Sequence, residues 1–496
     1  MTSTIACVQA RTALPALAAT LAAAALLLVP AARAEHVAVV IVPGMTEATF
    51  AGRGAIGLYL PGRAGEAGRH GAIRALGIDR LTAPACASRR PCPIEILVGL
   101  PAPGDHRNRP YPIAVVGAGY RGLLTSSSTR IPGLVAAGDV ERTVRALERG
   151  DRPVLRARPD PDATDEVTKL ERRLIRNRGT RIPGEFLVAA VVFFGSLLAL
   201  GLRSRFMARA ALLASPAVLA MSLVVSAAGV SRAWLAVLLV ALTAVGASLV
   251  AATRPRLLAP AFAGVLLSYL VVMSAWPEVN SFAVVGPHPE RAGRYYGLTN
   301  LTSTILLAVS LQLGALLGLR SLVLLAPVAL VTIGWSKAGA DGGGLVVAAL
   351  ALSVLALRLH GERLTPRAVA LAAAAAIALG LALVGIDAAT GGSSHVTRAI
   401  GDGPGALLGD LGQRLHVGAS HVADTWYAAA IVAIALGAVV VLARLGPRFP
   451  VGDALIAGLV VSLLVNDTPP DVAAVAALSY GVFWTWERVR LTSRRG

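Results

Sequence analysis

The stretch FLVAAVVFFGSLLALGL, residues 186–202, decides the fold of this chain. It carries no charged side chain, and as a helix it is close to the length that crosses a bilayer core. It is a continuous run of Ala, Leu, Val and Phe, without the polar alternation of a barrel strand, so a helix is the expected form. Comparable runs recur at 210–230, 233–252, 257–276, 301–319, 321–335, 345–359, 368–386, 426–443, 451–466 and 472–486. With 186–202 they predict about eleven spans in a polytopic, mostly α region over 185–496. The whole composition agrees: 55% of the 496 residues are hydrophobic and 15% charged, against about 25% charged in soluble domains. Mean hydropathy is +0.67.

Upstream the chain changes character. Arg11, the apolar run 13–29 and Ala32-Arg33-Ala34 read as an export signal over 1–34, cleaved after Ala34 or kept as an anchor. Residues 35–184 are charged and rich in Gly and Pro, with no spanning run. HVAVVIVPGM (36–45), IEILVG (94–99) and PIAVVGAG (112–119) read as buried strands. DVERTVRALERG (139–150) reads as a helix with Asp139 as its cap and Gly150 as its stop. Short strands alternating with helices predict an extracytoplasmic α/β domain. A basic amphipathic helix over 162–178 leads to the membrane. Cys86 and Cys92 are an even pair in an exported segment, which predicts a disulfide. The outer loop 387–425 reads as partly ordered.

Charge sets the orientation. With 35–184 outside, the cytoplasmic segments hold fifteen basic residues: Arg203, Arg205, Arg209, Arg254, Arg256, Arg320, Arg358, Arg363, Arg367, Arg444, Arg448, Arg488, Arg490, Arg494 and Arg495. The outer loops hold six, Arg232, Arg291, Arg294, Lys337, Arg398 and Arg414. That is a positive-inside bias with the C-terminus in the cytoplasm. Arg172, Arg173, Arg176, Arg178 and Arg181 run against it, and translocation of a long domain overrides such a cluster. The +18 net charge is therefore an orientation signal. No basic run interleaved with aromatics points to nucleic acid.

Three polar turns then fall on one membrane face. HPERAGRYYGLTN (288–300) holds His288, Glu290, Arg291, Arg294, Tyr295, Tyr296 and Asn300. SKAGADGGG (336–344) holds Lys337 and Asp341, and NDTPPD (466–471) holds Asn466, Asp467 and Asp471. Polar groups beside hydrocarbon are costly and mark function by default. Arginine suits phosphate or carboxylate. Glu290, His288 and Asp467 are the candidate bases, and the other residues are candidate substrate contacts. Glycines 342–344 allow close backbone approach. Gly117 to Gly122 fits G-x-G-x-x-G but reads as a turn. His395, His416 and His421 are too loosely spaced for a metal, and no cofactor signature is present.

GRYYGLTN (293–300), GADGGG (339–344) and VNDTPPDV (465–472) resemble motifs of a family of uncharacterised bacterial multi-spanning proteins. Members carry an exported domain similar to alkaline phosphatases and sulfatases. PIAVVGAGYRG (112–122) followed by GDVERTVRALERG (138–150) resembles the late strand, Gly-turn and helix of that superfamily. The resemblance covers most of the chain and implies a fold rather than an activity. Two departures stand out. Leu301 follows the asparagine where an acidic residue is common. The first strand ends in Val42-Pro43-Gly44 where the superfamily has a metal-binding aspartate, and Asp105-His106 alone does not replace a two-metal ligand set. The resemblance thus implies a degenerate, metal-free alkaline phosphatase-like domain. The arginine, glycine and asparagine of RYYGLTN also resemble a string in O-antigen ligases and polymerases.

Together these readings predict a multi-pass cell-envelope protein with an outward-facing polar site for a membrane lipid or lipid-linked, phosphate-bearing substrate. A glycosyl or phosphoryl transferase is the first expectation. A transporter or lipid flippase is the second, and a structural or assembly role the third. Oligomeric state is left open by the sequence.

Overall fold

The computed structural model describes residues 37–492, apart from 43, 47–48, 50–51, 53, 62–67, 82–92, 106–107, 292–293, 390–403 and 447. The export signal, the Cys86–Cys92 pair, Pro43, His106, His395 and Arg398 lie outside the described residues.

The N-terminal part is a seven-stranded mixed sheet. Its strands are β1 (Val37–Ile41), β2 (Ala55–Leu60), β3 (Ile94–Val98), β4 (Tyr111–Gly117), β5 (Gly122–Ser126), β6 (Leu134–Ala136) and β7 (Leu155–Arg158). The order is β1-β3-β4-β2-β5-β7, with β6 also paired to β2. β1 with β3, and β2 with β5 and β6, run parallel; the remaining pairs are antiparallel. Period-2 alternation sorts the side chains onto two faces. Tyr59, Ile96, Val98, Ile113 and Val115 pack under α1 (Arg69–Leu76) and α2 (Asp139–Glu148). Ile56, Leu58, Leu97, Ala114 and Leu123 face the other way, under α3 (Ala163–Asn177). The three strands and two helices expected from the sequence are present. β2, β5, β6 and β7 are additional, and β2 is buried at all its positions. Gly117–Gly122 is a tight turn joining β4 to β5, as expected. Asp139 differs by one position. Gly138 caps α2, and the Asp139 carboxylate accepts from Ser126, Ser128 and Arg142 instead.

The rest is helical, making the chain 68% helix. The helices are α4 (Arg181–Gly201), α5 (Arg205–Ala227), α6 (Ala233–Ala252), α7 (Leu258–Ala275), the short α8 (Pro277–Ser281), α9 (Asn300–Leu317), α10 (Leu322–Gly334), α11 (Gly342–Leu359), α12 (Pro366–Ala389), α13 (Pro404–Asp424), α14 (Trp426–Leu445), α15 (Pro450–Val465) and α16 (Pro469–Thr492). Every apolar run identified in the sequence is a helix. Among the described residues, eight helices are long and apolar enough to cross a membrane, while α10 and α15 are shorter. α16 has the length but carries Asp471 at its start and Glu487, Arg488 and Arg490 near its end. Within the segment 387–425, expected to be partly ordered, residues 404–424 form α13, an element that its mixed Leu, Gly and His composition concealed.

α9 is the centre of the bundle, buried along most of its length, and α5 and α11 pack beside it. α4 is the opposite case. Phe186 is 72% exposed and Phe194 60% exposed, an apolar face that needs a non-aqueous neighbour. The helix ends fall into two sets. Gly179 at the start of α4 meets Ala233 at the start of α6, and Gly418 of α13 meets Asn466 and Pro469, between α15 and α16. At the opposite ends Arg209 donates to Ala252 O (2.8 Å), and Arg358 of α11 pairs with Asp453 of α15 (2.8 Å).

Phe194→Asp puts a charge on the exposed face of α4. It should cost about 2.5–3.5 kcal/mol of insertion energy and lower the carbonate-resistant membrane fraction, whereas Phe194→Leu should not.

Candidate functional site

The segment 277–300 is where the sheet and the bundle meet. Residues 281–290 are all buried. Phe282 and Tyr295 enter the second face of the sheet, beside Leu58, Leu97 and Leu174. Polar groups fix the segment. Asn280 donates to Gly297 O (2.6 Å), Ser281 to Tyr295 O (2.7 Å), and Asn108 of the sheet domain to Glu290 O (3.0 Å). Burial, and next the charge of Asp139, push the Tyr295 phenol above its usual pKa, so Tyr295 is neutral here.

Arginines of the sheet domain complete the junction. Arg130 donates to Lys337 O (2.7 Å) and Ser274 O (3.2 Å) and stacks over Tyr296. Arg173 donates to Ser226 O and Oγ (3.1 Å each) and stacks over Phe282. Arg181 pairs with Glu185 (2.7 Å) and with Asp471 (3.7 Å). Arg173 and Arg181 were read as charges against the orientation rule. They are also contacts between the two parts, which only the fold could reveal.

His288 and Glu290, expected as bases, are sealed in this junction at 0% and 2% exposure. His288 has positive φ, uncommon outside glycine. Its Nε2 lies 3.2 Å from Val284 O, so the proton sits there, while Nδ1 lies 3.1 Å from Glu290 Oε1. Asn177 Nδ2 (3.5 Å) and Thr180 Oγ1 (3.4 Å) also face this Nδ1. Glu290 Oε2 is buried without a partner among the described residues. This is an interface pair, out of reach of substrate. The Arg294 guanidinium donates to Leu298 O and, among the described residues, forms no ion pair with Asp341 or Asp467. Lys337 is exposed, with Nζ 5.8 Å from the Trp335 ring centre. The Arg291 side chain lies outside the described residues.

The three turns nevertheless meet. Leu298 N donates to Gly339 O (2.8 Å), and an added Cβ at Gly297, φ +83°, would collide with that carbonyl. Asn300 Nδ2 donates to Asp467 Oδ1 (3.0 Å) and Thr468 Oγ1 (2.8 Å). Gly343 abuts Asn466 Oδ1, and Gly344 abuts Ser303 Oγ. Asp341 caps α11 through Gly344 N (3.0 Å), is 3% exposed, and keeps Oδ2 unpartnered among the described residues. Asn466 Nδ2 donates to Ser462 Oγ (2.5 Å). Asp467 is exposed, and Asn466 lines a cavity of about 410 Å³ between α13, α14 and α15. The candidate site is therefore Asn300, Asp341, Asn466 and Asp467, with Ser303 and Thr468 the residues that sequence reasoning missed.

In the sheet domain Asp105 is held by Arg109 (3.1 Å) and by Tyr111 OH (3.3 Å). No three His, Cys, Asp or Glu side chains group as a metal centre would need among the described residues. No family model, curated protein or solved structure matches this chain.

Glu290→Ala should break the buried pair and cost about 3–5 kcal/mol. The purified full chain should show a lower Tm and faster proteolysis between the two parts. Asp467→Ala, at an exposed position, should stay within about 0.5 kcal/mol of the parent.

Proposed function

We propose that this is a multi-pass cell-envelope protein whose outward-facing site, Asn300, Asp341, Asn466 and Asp467, acts on a lipid-linked or phosphate-bearing envelope substrate as a glycosyl or phosphoryl transferase. The observation that carries the reading is the Asn300–Asp467 bond beside a cavity. Residues from three separated turns converge there, although simple loop packing needs no carboxylate. Asp467 is the general base. Asn300 holds one of its oxygens, and the other has no bonded partner among the described residues, so it can accept a proton from an attacking hydroxyl. Asp341, whose Oδ2 is buried without a partner among the described residues, accepts a hydrogen bond from a donor of the substrate head.

The membrane arrangement in this reading has eleven spans, with the sheet domain and segment 277–300 outside and the C-terminus inside. Fifteen basic residues against six in the loops support it, together with the two sets of helix ends. The sheet domain is a binding or scaffolding module related to the alkaline phosphatase-like fold. The engagement of Asp105 by Arg109 and Tyr111 supports its inertness. Family membership rests on the three motifs.

A transporter or flippase draws on one specific observation. Asp341 is a buried carboxylate with an unpartnered oxygen inside the bundle, the kind of group that carries a coupling proton or ion. Asp341→Asn separates the two readings, since it should abolish a coupled flux but only weaken a transferase.

Reporter fusions at Gly361 and Gly496 should both read as cytoplasmic, and an exported signal from both would overturn the arrangement. Cells lacking the protein should accumulate an envelope precursor, seen by mass spectrometry of extracted lipids. Asp467→Ala should fail to restore the normal profile at normal protein level, with turnover at least about a hundredfold down if it is the base. An unchanged lipid profile in the deleted cells would remove the proposal.

A further inference from the structure

We infer that the lateral groove between α4, α5 and α6 binds one acyl chain of an anionic phospholipid, whose phosphate is held by the arginines at the groove's mouth. This site lies apart from the proposed outer site and does not depend on it.

The groove is apolar. α5 forms its floor with Ala210, Ala211 and Ala214, and Phe194 of α4 and Val245 of α6 stand as its walls. Both wall residues are exposed, so the space opens sideways from the bundle. Of the described residues that line it only Ser248 carries a hydroxyl, and that hydroxyl donates to Ala244 O (2.7 Å). The walls therefore offer nothing to a polar occupant. At about 400 Å³ the space is in the range of small-molecule sites. From Ala190 to Leu198 a helix rises about 12 Å, which fits within one leaflet of a hydrocarbon core about 30 Å thick. That depth suits a chain entering from one surface better than a partner helix crossing the whole membrane.

Charge identifies the head. Leu198 of α4, Met207 of α5 and Leu249 of α6 line the groove, each within a turn of its helix end. Those ends lie together: Leu202-Arg203-Ser204 joins α4 to α5, and Arg209 Nε donates to Ala252 O (2.8 Å), tying the start of α5 to the end of α6. Arg203, Arg205, Arg209, Arg254 and Arg256 therefore gather at this mouth. From 186 to 277 the chain carries no Asp or Glu to balance them. Glu487 of α16, whose helix reaches this end through Val489 against Ala199 and Ala208, is already held by Arg490 (2.7 Å). Arg203, Arg254 and Arg256 are exposed and form no ion pair among the described residues. Orientation alone asks for basic residues in these turns, but not for an apolar groove that ends at them. Arginine engages phosphate through its planar fork, and a basic cluster at a membrane surface attracts anionic lipid. A zwitterionic head brings an ammonium that the cluster repels, and a free phosphate leaves the groove unfilled. An anionic phospholipid satisfies both parts at once.

The test uses the full chain in phosphatidylcholine nanodiscs doped with a trace of phosphatidylglycerol or phosphatidylcholine bearing a diazirine on one acyl chain. Both leaflets are open to the probe, so the result does not depend on the arrangement across the membrane. The phosphatidylglycerol probe should label peptides containing 190–198 and 244–249 at least about tenfold more than the phosphatidylcholine probe. The preference should collapse at about 1 M salt, where charges are screened within about 3 Å, and in the double change Arg254→Gln with Arg256→Gln at exposed positions. Val245→Trp fills the groove from an exposed position and should abolish labelling there. Equal labelling by the two probes, or a preference that survives the arginine changes, would overturn the head assignment. Labelling that Val245→Trp leaves in place, or competition by glycerol phosphate as strong as by the whole lipid, would overturn the groove assignment. Crosslinked dimers that exclude the probe would put a second copy on this face and overturn the inference. The lipid profile of deleted cells decides the proposed function separately.

Discussion

Burial of the segment 277–300 between a sheet face and a helix bundle is the constraint on which the rest of the structure depends. The outer ends of the sheet's Ile56, Leu58, Leu97 and Leu123 would meet water if only α3 covered them. Phe282 and Tyr295 close that face from the bundle side, so the two parts share a core. Such a junction is possible only if its backbone groups are paired. Side chains do much of that pairing: Asn108, Asn280 and Ser281 bond carbonyls of the segment, Ser222 accepts from Val285 N (3.1 Å), and Thr302 donates to Val285 O (3.0 Å). These neutral amides and hydroxyls bring less desolvation cost than charges would.

The same segment delivers the candidate site. It ends at Thr299, whose side chain caps α9 through Thr302 N (3.1 Å), and this sets Asn300 in the first turn. From there Asn300 reaches the turn between α15 and α16. Gly297 lets the segment cross the Gly339 carbonyl, which draws in the turn before α11. Close backbone contact, rather than ion pairing, assembles the three turns. That leaves the acidic groups partly unsatisfied, and buried acceptors without partners are uncommon enough to demand a reason. In the proposed function, a ligand that donates hydrogen bonds supplies one.

The distinction between docking groups and site groups is the point at which composition misleads. A polar residue next to hydrocarbon is expensive wherever it is, and burial against a second domain relieves that cost as well as a substrate does. His288 and Glu290 took the first course, and Asp467 stayed exposed. Arg173 and Arg181 look like orientation signals because charge counting does not see that Ser226, Glu185 and Asp471 come within reach of them. Arg294 looks like an anion ligand until the chain turns back and places Leu298 O beside it.

Local pattern alone determined the helices. Apolar runs of near-spanning length have one way to satisfy their backbone away from water, and each of them is a helix here. It also determined β1, β3, β4 and α2, whose alternation and periodicity are complete within a few residues. The tertiary structure alone decided the mixed order of the sheet, the place of β2 at its centre, and the helix α13 over the site. It alone chose which polar residues are sealed and which are accessible. Those outcomes turn on contacts between residues far apart in the chain, such as Ala55 with Val115, Asn108 with Glu290 and Asn300 with Asp467. Periodicity reports the environment of a residue along its own element, and carries no information on which distant partner will neutralise it.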